Sequence, residues 1–384
     1  MSTIDIYLKG GVQLRTLLRL KRNHLLLLSP LSFFLILLAK KSSFFAEHIN
    51  ALGVYKWLSQ FISLITGMLP ISLAEIFLMI LPVILAAILI RFIIKLIKDK
   101  RNRKTNAVKG IINVMCALSV ILFSFTIMGG LNYYRYPFSY YSNLEIENYT
   151  VEELYDLTMH LAKQANELRS RVPKVDENDV FDLSMSNYEL AKEANKAMRK
   201  LSKEYPVLGG RYGSPKPVLL SRLMSHTEIT GIFVPFTMEA NVNVDISDYA
   251  IPYTMLHEMA HQRGFMREDE ANYIAYLAGA SSDNVELQYS STMMALISSG
   301  NELYMKNQEL YFEVRDIYSD GIVKDIRANS EYWARYKDTV VSTVSNKIND
   351  TYLKANAQTD GVQSYNRMVE LLLAKYKAEQ TKNQ

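Results

Sequence analysis

Cysteine is almost absent from this chain: Cys116 is the only one in 384 residues. The part that follows it therefore has no thiol for a disulfide or for nucleophilic catalysis, and its stability must come from its core. Also missing are a phosphate loop, a dinucleotide fingerprint and a basic patch interleaved with aromatics, which leaves no footing for nucleotide or nucleic-acid binding. No internal repeat is visible.

Charge is missing locally. Residues 111–131 contain no charged side chain, and residues 71–90 contain only Glu75, with Pro82 as an expected kink. Residues 24–39 form a shorter apolar run flanked by Arg22 and Lys40, which can snorkel. No small-x-small cleavage site follows it, which favours a span over a removed signal. Three transmembrane helices are therefore predicted, at about 24–39, 71–94 and 111–131, in a membrane region covering residues 1–133. A basic cluster precedes the first, and Lys95 to Lys109 crowd the link between the second and third. By the positive-inside rule both lie in the cytoplasm, which puts residues 134–384 outside a plasma membrane. Residues 1–133 carry 16 Lys and Arg against 4 Asp and Glu, whereas the rest carries 27 against 35. The basic overall balance is thus a topology signal. Residues 44–69 are mixed and suit interfacial packing on the bilayer.

What is present in the acidic remainder is His257-Glu258-Met259-Ala260-His261. Histidines at i and i+4 lie on one helical face, one turn apart, and can aim a ring nitrogen each at one zinc ion about 2.0–2.1 Å away. Glu258 lies beside such a metal without binding it, where it can act as general base toward an attacking water. Pro252 suits the first turn of this helix. Gly264 breaks it after His261, as a compact metal site requires, and Glu268-Asp269-Glu270-Ala271-Asn272 opens the next helix. Ala271, Ala275 and Ala278 form a small-residue stripe that Glu268 extends. Glu268 is the expected third ligand, Glu270 the alternative, and Asp269 is expected on the solvent side.

Upstream, residues 230–237 read as a β-branched and aromatic strand ended by Pro235, and residues 241–246 alternate polar and apolar. They predict a hairpin whose first strand lies at a sheet edge, open either to an ordinary structural role or to pairing with an extended substrate. Helices are expected at 151–171, 179–205, 283–307, 309–326, 330–355 and 361–379, with a loop at 206–217. The fold class is an α-helical membrane region plus an α+β body, mostly helical, with a small sheet beside the metal helix.

The His-Glu-x-x-His helix followed by Glu-x-x-Ala-Asn resembles the gluzincin type of zincin over residues 230–280, although the gap from His261 to Glu268 is shorter than in most gluzincins. The metzincin pattern fails, since Arg267 stands where its third His would be. The whole chain resembles an uncharacterised family of bacterial membrane proteins that carry this helix. The resemblance implies a membrane-anchored zinc metallopeptidase acting on peptide or protein, with Asn272 orienting an imidazole from behind. Tyr352, Tyr365, Arg367 and His226 are the candidate oxyanion donors. A zinc hydrolase of cell-wall peptides and a non-catalytic zinc-binding sensory or interaction protein are the alternatives; Glu258 argues against the last, because a structural site needs no base.

Overall fold

The charge-poor runs fold as three helices long and apolar enough to cross a membrane, Arg22–Lys41, Leu73–Lys98 and Arg103–Met128. The computed structural model describes residues 7–8, 12–13, 21–356, 358 and 367–382. The third apolar helix begins eight residues before the predicted 111, because Arg103, Lys104 and Lys109 are good helix formers whose long stems tolerate the first turns. Ser29 donates to Ser119 at 2.8 Å, tying the first apolar helix to the third.

Between the first two apolar helices, residues Phe45–Tyr55 wind as a π-helix that passes directly into helix Lys56–Thr66. This segment is bonded throughout to the body that follows residue 134. Glu47 and Arg135 form a fully buried ion pair at 2.8 Å. Thr66 donates to the Thr237 carbonyl, and Lys216 donates to the carbonyls of Thr66 and Ile71. Glu75, the lone charge in the second apolar run, accepts the backbone N–H groups of Leu219 and Leu220.

The body is mostly helical, as the apolar periodicity implies. Helices Val151–Arg169, Asn187–Glu204, Ala250–Gln262, Glu268–Ala280, Val285–Lys306 and Met368–Lys382 share one hydrophobic core. Three predicted helices needed correction. The run expected from 179 starts at Asn187, where Ser186 and Glu189 form a capping box. The expected pair 309–326 and 330–355 resolves into Gln308–Asp316, Asp320–Ala334 and Val340–Ala355. Ser319 and Thr339 cap the second and third of these by accepting the N–H groups of Ile322 and Ser342, so the breaks fall at caps that periodicity does not register.

The short strands β1 (Tyr7–Leu8) and β2 (Val12–Gln13) pair antiparallel. The sheet beside the metal helix has three: β3 (Lys216–Pro217), β4 (Gly231–Val234) and β5 (Glu239–Val242), in the order β3-β5-β4. β3 runs parallel to β5, and β4 and β5 form the predicted hairpin, with Phe233 opposite Ala240. β4 is an edge strand, as the proline suggested. The Asn243 N–H donates to the Thr230 carbonyl at 2.8 Å. Alternation along an antiparallel pair then makes 232/241 and 234/239 the bonded pairs and turns the backbone groups of Gly231 and Phe233 to the open edge.

Candidate metal centre

Helix Ala250–Gln262 is buried on every side, including His257, Glu258 and His261. Gly264, at φ +86°, ends it in the left-handed conformation that glycine adopts without steric cost. The Phe265 N–H then returns to the Ala260 carbonyl, and the next helix runs Glu268–Ala280. Glu268 therefore occupies a first turn, and its N–H donates to the Gln358 side chain at 3.2 Å.

Glu268 Oε2 lies 3.2 Å from His257 Nε2 and 3.7 Å from His261 Nε2. One ligand atom from each of these three buried residues falls within 4.8 Å of the others. Ligands bonded at about 2.0–2.1 Å to one tetrahedral centre stand about 3.3–3.4 Å apart, so these spacings fit a shared cation. The tautomer supports the same reading. His261 Nδ1 lies 2.7 Å from the Phe265 carbonyl, which can only accept, so Nδ1 carries a proton. In a neutral ring Nε2 then presents a lone pair toward a carboxylate, an arrangement that requires a cation between them. When no metal is bound, a proton takes that place. Burial opposes charge on His261, but Glu268 outweighs it and lifts the imidazole to about 9. Burial likewise opposes charge on Glu268, yet the two imidazoles hold its carboxyl well below the usual range.

Glu258 is placed differently. Burial raises its carboxyl above the ordinary value against the pull of both imidazoles, and it accepts the outward N–H of Phe233 from the β4 edge. Its Oε2 is buried with no hydrogen-bond partner among the described residues. A Cβ at Gly231 would collide with the Glu258 side chain and with Thr254, so β4 approaches the metal helix only because residue 231 is glycine. Chemically, this is a carboxylate with spare basicity beside a metal-ligand triad and an open strand edge.

The remaining predicted residues separate clearly. Glu270 turns away from the imidazoles, accepts the Phe138 N–H at 2.7 Å and pairs with Arg267. Asp269 is not on the solvent side: its side chain is mostly buried, and burial together with Glu270 pushes its carboxyl up to about 6. Arg367 lies 3.8 Å from Asp269, not against the imidazoles. His226 packs edge-on against Tyr336. Tyr365 lies outside the described residues. Tyr352 does reach the site's field: the side chain as a whole is 40% exposed, but desolvation of its hydroxyl and the charge of Glu268 raise the phenol, and the hydroxyl bonds that of Tyr133 at 3.1 Å. Asn272 is buried, and its backbone carbonyl accepts the Tyr253 hydroxyl; the contact that orients His261 comes from Phe265.

Three supporting residues escaped the sequence pattern. Tyr55 donates to the carbonyls of His261 and Gln262 at 3.1 Å each. Arg135 lies 4.0 Å from the Phe265 ring centre and donates to the Arg263 carbonyl. Gln358 caps the helix that carries Glu268. All three come from far along the chain, and no local motif marks them.

A family model described as "Protein of unknown function (DUF3810)" matches residues 51–373. The chain belongs to the DUF3810 family. No curated protein and no solved structure matches it. The DUF3810 match takes in helix Lys56–Thr66, two of the apolar helices and the metal-ligand triad together. It thus spans both sides of residue 134, as do the hydrogen bonds.

Proposed function

We propose that this chain is a membrane-anchored zinc-dependent peptidase, in which His257, His261 and Glu268 hold Zn²⁺ and Glu258 is the general base. The observation that carries this reading is Glu258: a buried carboxylate with raised basicity and an unpartnered oxygen, beside the triad but outside it. Two imidazoles and one carboxylate are the donor set of zinc sites that keep a position open. The likeness of the two helices to gluzincins agrees with it. Bound zinc would supply Lewis acidity toward a water and a scissile carbonyl. Glu258 accepts the proton of the attacking water and delivers it to the leaving amine. The open edge of β4 aligns an extended substrate by backbone pairing, and Tyr352, kept protonated, donates to the developing oxyanion. The basic clusters support an N-terminus in the cytoplasm and the metal-bearing body outside.

The test uses the full chain in lipid nanodiscs. A piece starting at residue 134 would lose Tyr55, Ser63 and Glu47 from buried bonds to Gln262 and Arg135. Metal content and cleavage of a mixed peptide library are measured for the parent, Glu258→Gln and His257→Ala. One zinc per chain is expected, with cleavage lost about 10²–10⁴-fold in Glu258→Gln while zinc stays. His257→Ala is expected to lose the metal. Zinc without cleavage of any peptide overturns the peptidase reading, and absence of metal from the folded parent overturns the metal site as well.

A further inference from the structure

Helix Lys56–Thr66 is inside out. Ser59, Ser63 and Thr66 are buried, whereas Trp57 is 77% and Phe61 65% exposed, and Met68 just beyond is 82% exposed. A helix of eleven residues is too short to cross a bilayer, so this face lies along the membrane rather than through it. It is continuous with the bilayer-facing helices because it joins the end of the first, at Lys41, to the start of the second, at Leu73.

The same segment holds the metal helix. Tyr55 bonds the carbonyl of His261 itself, and Gln262 Nε2 donates to Ser63 at 2.9 Å. The hairpin is tied down at its turn, where the Thr237 carbonyl accepts Thr66 and Pro235 packs beside Gly129, just past the C-terminal end of the third apolar helix. β4 therefore runs toward the membrane as it passes Glu258. Helix Val340–Ala355 follows a similar course. Asn346 bonds Glu228 just before β4, and Tyr352 meets Phe125 of the third apolar helix, with ring centres 6.2 Å apart. Ile232 and Phe236 on the hairpin and Val344 and Ile348 on this helix are exposed.

Resting on the peptidase reading, we infer that the substrate is a polypeptide anchored in the same membrane, cut in the extended segment where it leaves the bilayer. Such a segment emerges at the Pro235 end, pairs with the β4 edge and reaches Glu258 within a few residues of the membrane.

The test presents one scissile sequence, chosen from the library, to the full chain in nanodiscs in three forms: free, fused to a single membrane span through a spacer of ~5 residues, and fused through ~30 residues. The long spacer preserves the tether's local concentration but removes the constraint on distance. The short-spacer form is expected to be cut about tenfold faster than either other form. Equal rates for both spacers, or for free and tethered forms, overturn the inference while leaving the peptidase reading standing. No cleavage in any form, with zinc bound, overturns both. A second measurement does not depend on turnover. With Trp333→Phe, Trp57 is the only tryptophan, and brominated lipid is expected to quench it strongly; unquenched Trp57 removes the membrane placement on which the inference rests.

Discussion

Helix Ala250–Gln262 and helix Lys56–Thr66 are bonded to each other and follow opposite rules. The first buries every residue, charged ones included, and gathers its two imidazoles into a cluster that could hold a metal; the second turns its serines inward and its aromatics outward. Both are correct solutions to one requirement, that each face match the medium it meets. For the metal helix the medium is protein on all sides. For the other it is protein on one side and, on the membrane placement inferred above, hydrocarbon on the other, so apolar side chains mark its outside. Hydrophobicity alone does not say which way a helix faces; the partners of its polar groups do.

The comparison can be broken most severely at the metal. His261→Ala is expected to lower zinc affinity by more than the 10–100-fold typical of a lost supporting contact, measured by competition with a chromogenic chelator. Arg135→Ala strands Glu47 in the Phe45–Tyr55 segment that leads into the second helix and is expected to destabilise the fold by about 3–5 kcal/mol, read from denaturant unfolding in detergent. The same pair carries a pH signature. Burial opposes charge on Glu47, but Arg135 overcomes it and depresses the carboxyl. The pair's contribution is therefore complete above the ordinary glutamate range, near pH 4.3, and drains away as pH falls through the depressed native value. A melting temperature of the parent that holds steady on acidification through that window would refute the assignment.

Gly231→Ala tests the closeness of strand and metal helix. An added methyl against Glu258 and Thr254 is expected to cost about 1–3 kcal/mol and to lower kcat, with zinc retained. Tyr55→Phe is the mildest change. It removes one donor to two carbonyls and is expected to cost about 0.5–1.5 kcal/mol, seen as a small fall in melting temperature.

Much of this was legible in the residues. The i, i+4 histidines, the break at Gly264, the hairpin before the helix and the three apolar runs follow from local rules of spacing and backbone freedom, and the structure places them as those rules require. The choice of Glu268 over Glu270 was half legible. The alanine stripe pointed to it, but only the helix start, fixed by the turn at Gly264, decides which carboxylate faces the imidazoles. Tyr55, Arg135 and Gln358 were illegible because their roles depend on which distant segments meet. The seam between residues 45–75 and the body was illegible for a different reason. An inverted helix and an ordinary interfacial one have the same pattern, and the pattern does not reveal what the serines bond.

Glu239 opens β5, and its two oxygens accept the first N–H groups of the second apolar helix, at Leu73 and Ala74, while also pairing with Lys216. β5 in turn carries β4, the strand whose edge meets Glu258. A change in the tilt of that apolar helix, such as a thinner or thicker bilayer imposes, must be absorbed at this carboxylate or passed along the hairpin. On the proposed membrane-anchored reading, the lipid around the protein is a mechanical element of the site, and its thickness is a variable to be controlled when cleavage is tested.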